Sequence, residues 1–152
     1  MWEWCGGLRL NVGEINIIPD NNAAVTGADH SASSPLWRAI MPDGTLVAPG
    51  TAGTLRYTQT SVAFSDATTT PTATGVGAEL LQTLCLIPEP GLASGDYGDD
   101  WFWSSLTGER VPLRGGGWLD GSGAGVFALP LLYTRTNASP DIGFRSAYIE
   151  PL

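Results

Sequence analysis

Polar and apolar positions alternate at the start of the chain. "WEWCGGLRL" and "GEINIIP" read as two short strands, with Trp2/Trp4 and Ile15/Ile17 set against polar neighbours. "NVG" between them has turn chemistry. Asp20 to Asp29 is small and polar and reads as loop. "SASSPLWRAI" then predicts a helix, with Ser34 as N-cap, Pro35 in the first helical position, and Leu36, Trp37 and Ile40 facing inward. Asp-Gly and Pro-Gly turns punctuate strand-like pieces from Met41 to Asp66. "DATTTPTATG" reads as an exposed loop. In "GVGAELLQTLCLI", Leu80, Leu81, Leu84 and Ile87 have helical spacing, with Pro88 and Pro90 as the stop. "GLASGDYGDD" reads as loop, "WFWSSLTGERVPLRGG" as a hairpin, and "IGFRSAYIE" as a final strand after "GVFALPLL". The pattern predicts an α+β domain with two short helices, a small twisted antiparallel sheet and extensive ordered loop.

Composition sharpens this picture. The 152 residues suit one domain, 43% of them are hydrophobic and 14% charged, and 20 Gly with 11 Pro exclude a mostly helical chain. Seven basic residues against fifteen acidic ones, a net charge of −8, argue against nucleic acid and against an anionic membrane surface. The apolar runs are too short to insert in a membrane as a helix, and no basic segment precedes one as in a signal peptide. Met1 directly before a strand interior leads us to expect the C-terminal part of a longer protein. Cys5 and Cys85 form no CxxC, and two thiols are the simpler expectation than a disulfide.

Several residue sets could carry chemistry, each against a plainer reading. Asp96, Asp99 and Asp100 could hold calcium, but their spacing does not match the EF-hand, and a solvated acidic loop is the better account. Cys5 or Cys85 with His30 could make a nucleophile and base, but no GxSxG occurs, and His30 is better read as a surface or capping residue. Asp99/Asp100 or Glu3/Glu14 could act on a sugar as an acid–base pair, although nothing in the sequence sets their separation. "RGGG" at 114–117 lacks the phosphate-loop pattern and reads as a tight turn. Of the six tryptophans, Trp2, Trp4, Trp101, Trp103 and Trp118 lie in strand-like pieces. Most of these are expected in the core, with one or two lining a binding surface.

"WEWC", "RVPLRGGGW" at 110–118 and "GFR" at 143–145 resemble the framework of the formylglycine-generating-enzyme type of C-type lectin fold. Gly117 stands where that family has a small polar residue. "GLRLNVGEINIIPDNNAA", "LVAPGTAGTLRY", "YGDDWFW", "GERVPLRGG" and "GSGAGVFAL" are more closely similar to the variable proteins of diversity-generating retroelements of phages and prophages. The resemblance covers nearly the whole chain and implies one C-type lectin-fold ligand-binding domain over 1–152.

The enzyme branch carries copper-binding cysteines just before "GFR". Residues 126–142 have none, so the resemblance implies the fold and not the oxidase activity. In variable proteins this segment is rewritten by mutation of template adenines, mostly in Asn codons. The implied diversified, ligand-binding residues are Leu119, Asp120, Gly123, Pro130, Leu132, Tyr133, Ala138, Pro140 and Asp141, with Thr134 and Thr136 as further candidates. Such changes cannot yield Lys, Glu, Gln, Met or Trp, and residues 119–141 contain none of them.

Trp118, Val126, Phe127, Leu129, Ile142 and Phe144 are then expected as scaffold. Leu132 and Tyr133 are the expected apolar anchor, with polar contacts from Asp120 and Asp141.

The resemblance implies a non-enzymatic receptor-binding protein with no cofactor, no metal and no catalytic residue. Its partner would be a protein or glycan on a bacterial cell, reached from a phage tail tip in the virion or from a bacterial cell surface. A trimer or a tail-subunit partner is compatible with it. The alternatives are an oxidase of the formylglycine-generating type and a purely structural tail protein.

Overall fold

The computed structural model describes residues 1–19 and 29–143. In chain order the strands are β1 (Trp2–Trp4), β2 (Leu8–Asn11), β3 (Glu14–Ile17), β4 (Arg38–Ile40), β5 (Leu46–Val47), β6 (Ser61–Ala63), β7 (Trp101–Ser104), β8 (Glu109–Arg110), β9 (Leu113–Gly115), β10 (Leu129–Leu131) and β11 (Ile142–Gly143). One α-helix, α1 (Val76–Thr83), joins them among the described residues. The strands form three sheets, ordered β5-β4-β3-β2-β8, β11-β1-β9 and β10-β7-β6. The domain is mainly β, at 28% strand and 13% helix, which corrects the α+β expectation with two helices and one small sheet.

The missing helix is the one expected from Ser34. The Ser34 hydroxyl accepts from the Leu36 N–H at 3.2 Å, closing a local turn instead of capping a helix. The Trp37 indole donates to the Ser31 carbonyl at 2.9 Å, and its ring lies buried under the Arg9 guanidinium, 4.5 Å away. Burying that ring draws the chain straight, and Arg38–Ile40 pairs antiparallel with β3 and β5. The N-cap signal was local; the sheet edge and the indole pocket outweigh it.

The expected first strand divides at Cys5–Gly7. Gly7 adopts φ +75, and the two halves enter different sheets. The β2–β3 hairpin closes on Val12 and Gly13, both at positive φ, in register Asn11↔Glu14. The expected hairpin from Trp101 does not form. β7 is instead the middle strand of its sheet, with Phe102 fully buried between Val62 on β6 and Leu129 on β10. The β10–β7 and β1–β11 pairings are parallel, so the sheets are mixed. Past the TGE turn, Pro112 separates β8, which joins β2, from β9, which joins β1.

Helix α1 is where the spacing predicted one, but it ends at Thr83, before either proline. Cys85 takes a left-handed φ of 52, and Leu86 N–H closes on Leu81 O at 2.8 Å. Leu81 is fully buried, whereas Leu84 is exposed. The main core gathers Leu10, Ile15, Ile40, Leu55, Tyr57, Phe64, Leu81, Phe102 and Leu129. A smaller cluster of Trp2, Leu113 and Ala128 sits under β1, with Trp4, Trp103, Ala124, Tyr133 and Ile142 packed against it. That second cluster is the floor of the region considered next. The final-strand expectation is met at Ile142–Gly143; Phe144 and the rest of it lie outside the described residues, as does most of the loop expected at 20–29.

Candidate functional site

The segment after β9 leaves the sheet and returns to it. Gly115 and Gly125 form a backbone bridge, so residues 116–124 close into a loop. Glycine makes this closure sterically possible. A Cβ on Gly115 (φ +94) would stand 2.8 Å from the Met1 carbonyl, and one on Gly116 would stand 2.4 Å from the Ala124 Cβ. At the exit, Asp100 is buried and its Oδ2 accepts from Phe127 N–H at 2.7 Å, while a Cβ on Gly125 would fall 2.6 Å from the other carboxylate oxygen. Below the entry, the Arg114 guanidinium donates to the carbonyls of Phe127, Leu84 and Cys85, tying the loop base to the carbonyl end of α1. Its burial lowers the Arg114 pKa, against an opposing pull from Cys5, Cys85, Tyr57 and Asp100. "RGGG" is thus a structural clasp, as the turn reading expects.

Within the loop, Asp120 Oδ2 accepts from Gly117 N–H at 2.7 Å, and Gly121–Gly123 makes a single 3-10 turn. The large side chains are left outside. Trp118 is 85% exposed, Val126 81% and Leu119 76%. Trp118 and Val126 were expected as scaffold, and the structure corrects that: the loop is held by backbone, glycine and Asp120, so these side chains have nothing to support. Phe127 and Ile142 are half-buried and Leu129 is fully buried, in keeping with the scaffold expectation. Trp101, 42% exposed, stacks on Trp103 at 6.3 Å and 24°, and Trp103 meets the edge of Trp2.

The nine expected diversified residues divide. Leu119 and Asp120 are exposed on the loop. Gly123 lies against Trp101, whose Cδ1 would be 3.2 Å from an added Cβ, so a side chain there must move the indole. Pro130 is buried in β10 opposite Trp103 and faces no solvent. Leu132 is 38% exposed at the end of that strand. Tyr133 is half-buried against the second cluster, and its carbonyl accepts from Val111 N–H at 2.9 Å. Thr134, Thr136, Ala138 and Pro140 are exposed, and Asp141 is half-buried. The Asp141 carbonyl accepts from Trp2 N–H at 3.0 Å, and its carboxylate accepts from the Ser139 hydroxyl.

One cavity of about 260 Å³, lined by Met1, Gly117, Trp118, Pro140 and Asp141, joins the two loops. The structure therefore brings 117–118 and 140–141 to one cavity, keeps Leu132 out of it and removes Pro130 to the interior. Trp118 and Val126 are the surface residues that sequence reasoning misplaced, whereas Trp101 is one of the tryptophans left open to line a surface. Their neighbours signal it only weakly: the glycines flanking 118 and 126 leave no regular strand to bury them.

The other candidate chemistry is dispersed. Asp96 accepts from Ala93 N–H at 2.8 Å, Asp99 accepts from the Ser94 hydroxyl at 2.7 Å, and Asp100 is committed to Phe127. Among the described residues, no three His, Cys, Asp or Glu side chains are placed to hold a metal ion. Glu3 and Glu14 are on different sheets; Glu14 is buried, accepting from Asn16 at 2.8 Å and from the Thr54 hydroxyl at 2.7 Å. Cys5 and His30 do line one cavity of about 250 Å³ with Trp4, Trp37 and Arg135. Burial raises the Cys5 pKa despite Arg114, which favours the unreactive thiol. Both cysteines are free, and no described helix is long and apolar enough to cross a membrane.

No known family model matches this chain, and no curated protein matches it.

Proposed function

We propose that the chain is a non-enzymatic ligand-binding domain whose contact face is built by the loops at 116–126 and 132–141. It acts as a variable protein of the diversity-generating retroelement type, needs no metal or cofactor, and displays this face from a phage tail tip toward a protein or glycan on a bacterial cell.

One observation carries the reading. Among the described residues, the three most exposed large apolar side chains, Trp118, Val126 and Leu119, fall within residues 118–126. A soluble domain rarely leaves such a group bare without a partner for it. The same loop draws its shape from backbone contacts, so its side chains are available to change.

The test is genomic. A near-copy of the coding stretch for residues 114–145 should lie beside a reverse transcriptase gene and differ from it at adenines. Sister genes varying evenly along their whole length would overturn the diversified-face reading. Burial of Trp118 and Leu119 against a neighbouring tail subunit would replace it with a structural role.

A further inference from the structure

We propose that the face around Trp101 and Trp118 docks a polypeptide surface rich in Lys and Arg. This rests on the ligand-binding reading above and narrows its partner.

The apolar part of the face is Trp118, Leu119 and Val126 with Trp101, which lies against the loop at Gly123, and among the described residues the charged side chains beside it are acidic. Asp99 and Asp120 are exposed, and Asp141 lines the cavity beside Trp118. The whole chain contains no Lys, and no Arg lies between Arg114 and Arg135. Those two arginines are turned to internal partners, Arg114 to three carbonyls and Arg135 to Glu109 at 2.6 Å. Asp99 and Asp120 each spend one carboxylate oxygen on an internal bond and keep the second for a partner.

Exposed indoles attract a cationic head and pack its aliphatic stem, while carboxylates at the rim accept from it. A neutral glycan would stack on the indoles and leave the rim charges unmatched. An anionic glycan or nucleic acid would be repelled by the rim and by the net charge of −8. Charge complementarity selects the basic polypeptide.

The full chain is titrated against synthetic peptides matched in length and apolar content whose charged positions are Lys/Arg, Glu or Ser, alongside neutral and acidic bacterial glycans. The Lys/Arg peptides should bind best, and raising salt from about 50 to about 500 mM should weaken them strongly. Trp118→Ala should lower that affinity by about tenfold. Asp99→Asn with Asp120→Asn should do so by a similar factor of about ten while keeping both internal acceptors. Glu79→Gln, which removes an exposed carboxylate on α1, should change nothing.

Equal loss in Glu79→Gln would mean attraction to net charge alone and would overturn the proposal. So would an absence of Lys/Arg-peptide binding, or a preference for the Glu or Ser peptides. Glycan binding that falls with Trp118→Ala would overturn the basic partner and keep the ligand-binding face. Binding indifferent to Trp118 and Leu119 would overturn both.

Discussion

Two regions of this domain are held by opposite means. On the five-stranded sheet, polar side chains bond one another across strands. Arg9 donates to Asn16 at 3.0 Å, to Glu109 at 2.9 Å and to the Ala32 carbonyl at 2.7 Å. Asn16 continues to Glu14, which accepts from Thr54 and from the Gly50 amide. Arg135 closes the far side on Glu109, and both guanidiniums flank Trp37. The loop at 116–126 has one side-chain bond within it, Asp120 to Gly117, and otherwise depends on glycines too tightly packed to carry a Cβ. In the sheet, each side chain is a condition of the fold. In the loop, the backbone is the condition, and the side chains at 118, 119 and 126 are left exposed. A face proposed to vary would be built in the second way.

The comparison can be broken most severely at Arg9. Arg9→Ala takes the donor from Asn16 and from the Ala32 carbonyl, leaves Glu109 with Arg135 alone, and should cost about 3–5 kcal/mol in urea unfolding. A loss under about 1 kcal/mol would mean that the network does not hold the sheet. Next comes Gly125→Ala, which forces Asp100 off the Phe127 amide and should cost about 1–3 kcal/mol by overpacking. An unchanged melting temperature would show the loop base to be adjustable.

The third effect is pH-dependent. Burial alone would raise the Glu109 pKa, but hydrogen bonds and charge from Arg135 and Arg9 outweigh it and hold the group below its ordinary value of 4.5. Its contribution is present above that value and is lost as pH falls through the lower folded-state pKa. Acid titration of stability should therefore show a decline there, and Arg135→Ala should flatten it while costing about 0.5–1 kcal/mol at neutral pH. A slope unaltered in Arg135→Ala would remove that arginine from the account.

The smallest change in stability is expected at the face itself. Trp118→Ala and Leu119→Ala should stay within about 0.5 kcal/mol of the parent. Tyr133→Ala, although adjacent in role by sequence, should cost about 1–2 kcal/mol because its ring packs on the second cluster. Equal losses at Trp118 and Tyr133 would erase the distinction between face and floor.

Some of this architecture was legible in the residues. Asn11–Glu14 announced its hairpin, because turn geometry is a local property that Val12 and Gly13 satisfy between matched strands. The spacing of Leu80 and Leu81 announced α1, and the glycines at 115–117 announced a turn. The Ser34–Pro35 helix signal misled, since capping energy is smaller than the burial of Trp37 and the pairing of β4. The expected hairpin after Trp101 misled too, since nearness along the chain does not choose a strand's partner when a distant strand can bury Phe102 better.

By itself the sequence determined composition, charge sign, the turns at Val12–Gly13 and 115–117 and helix α1, all of which depend on neighbours a few residues apart. Tertiary structure decided which strands share a sheet, that Pro130 is buried, and that Trp118, Val126 and Trp101 are bare. An indole has the same affinity for a core wherever it occurs in a chain. Whether a core is there to receive it depends on contacts between residues far apart in sequence.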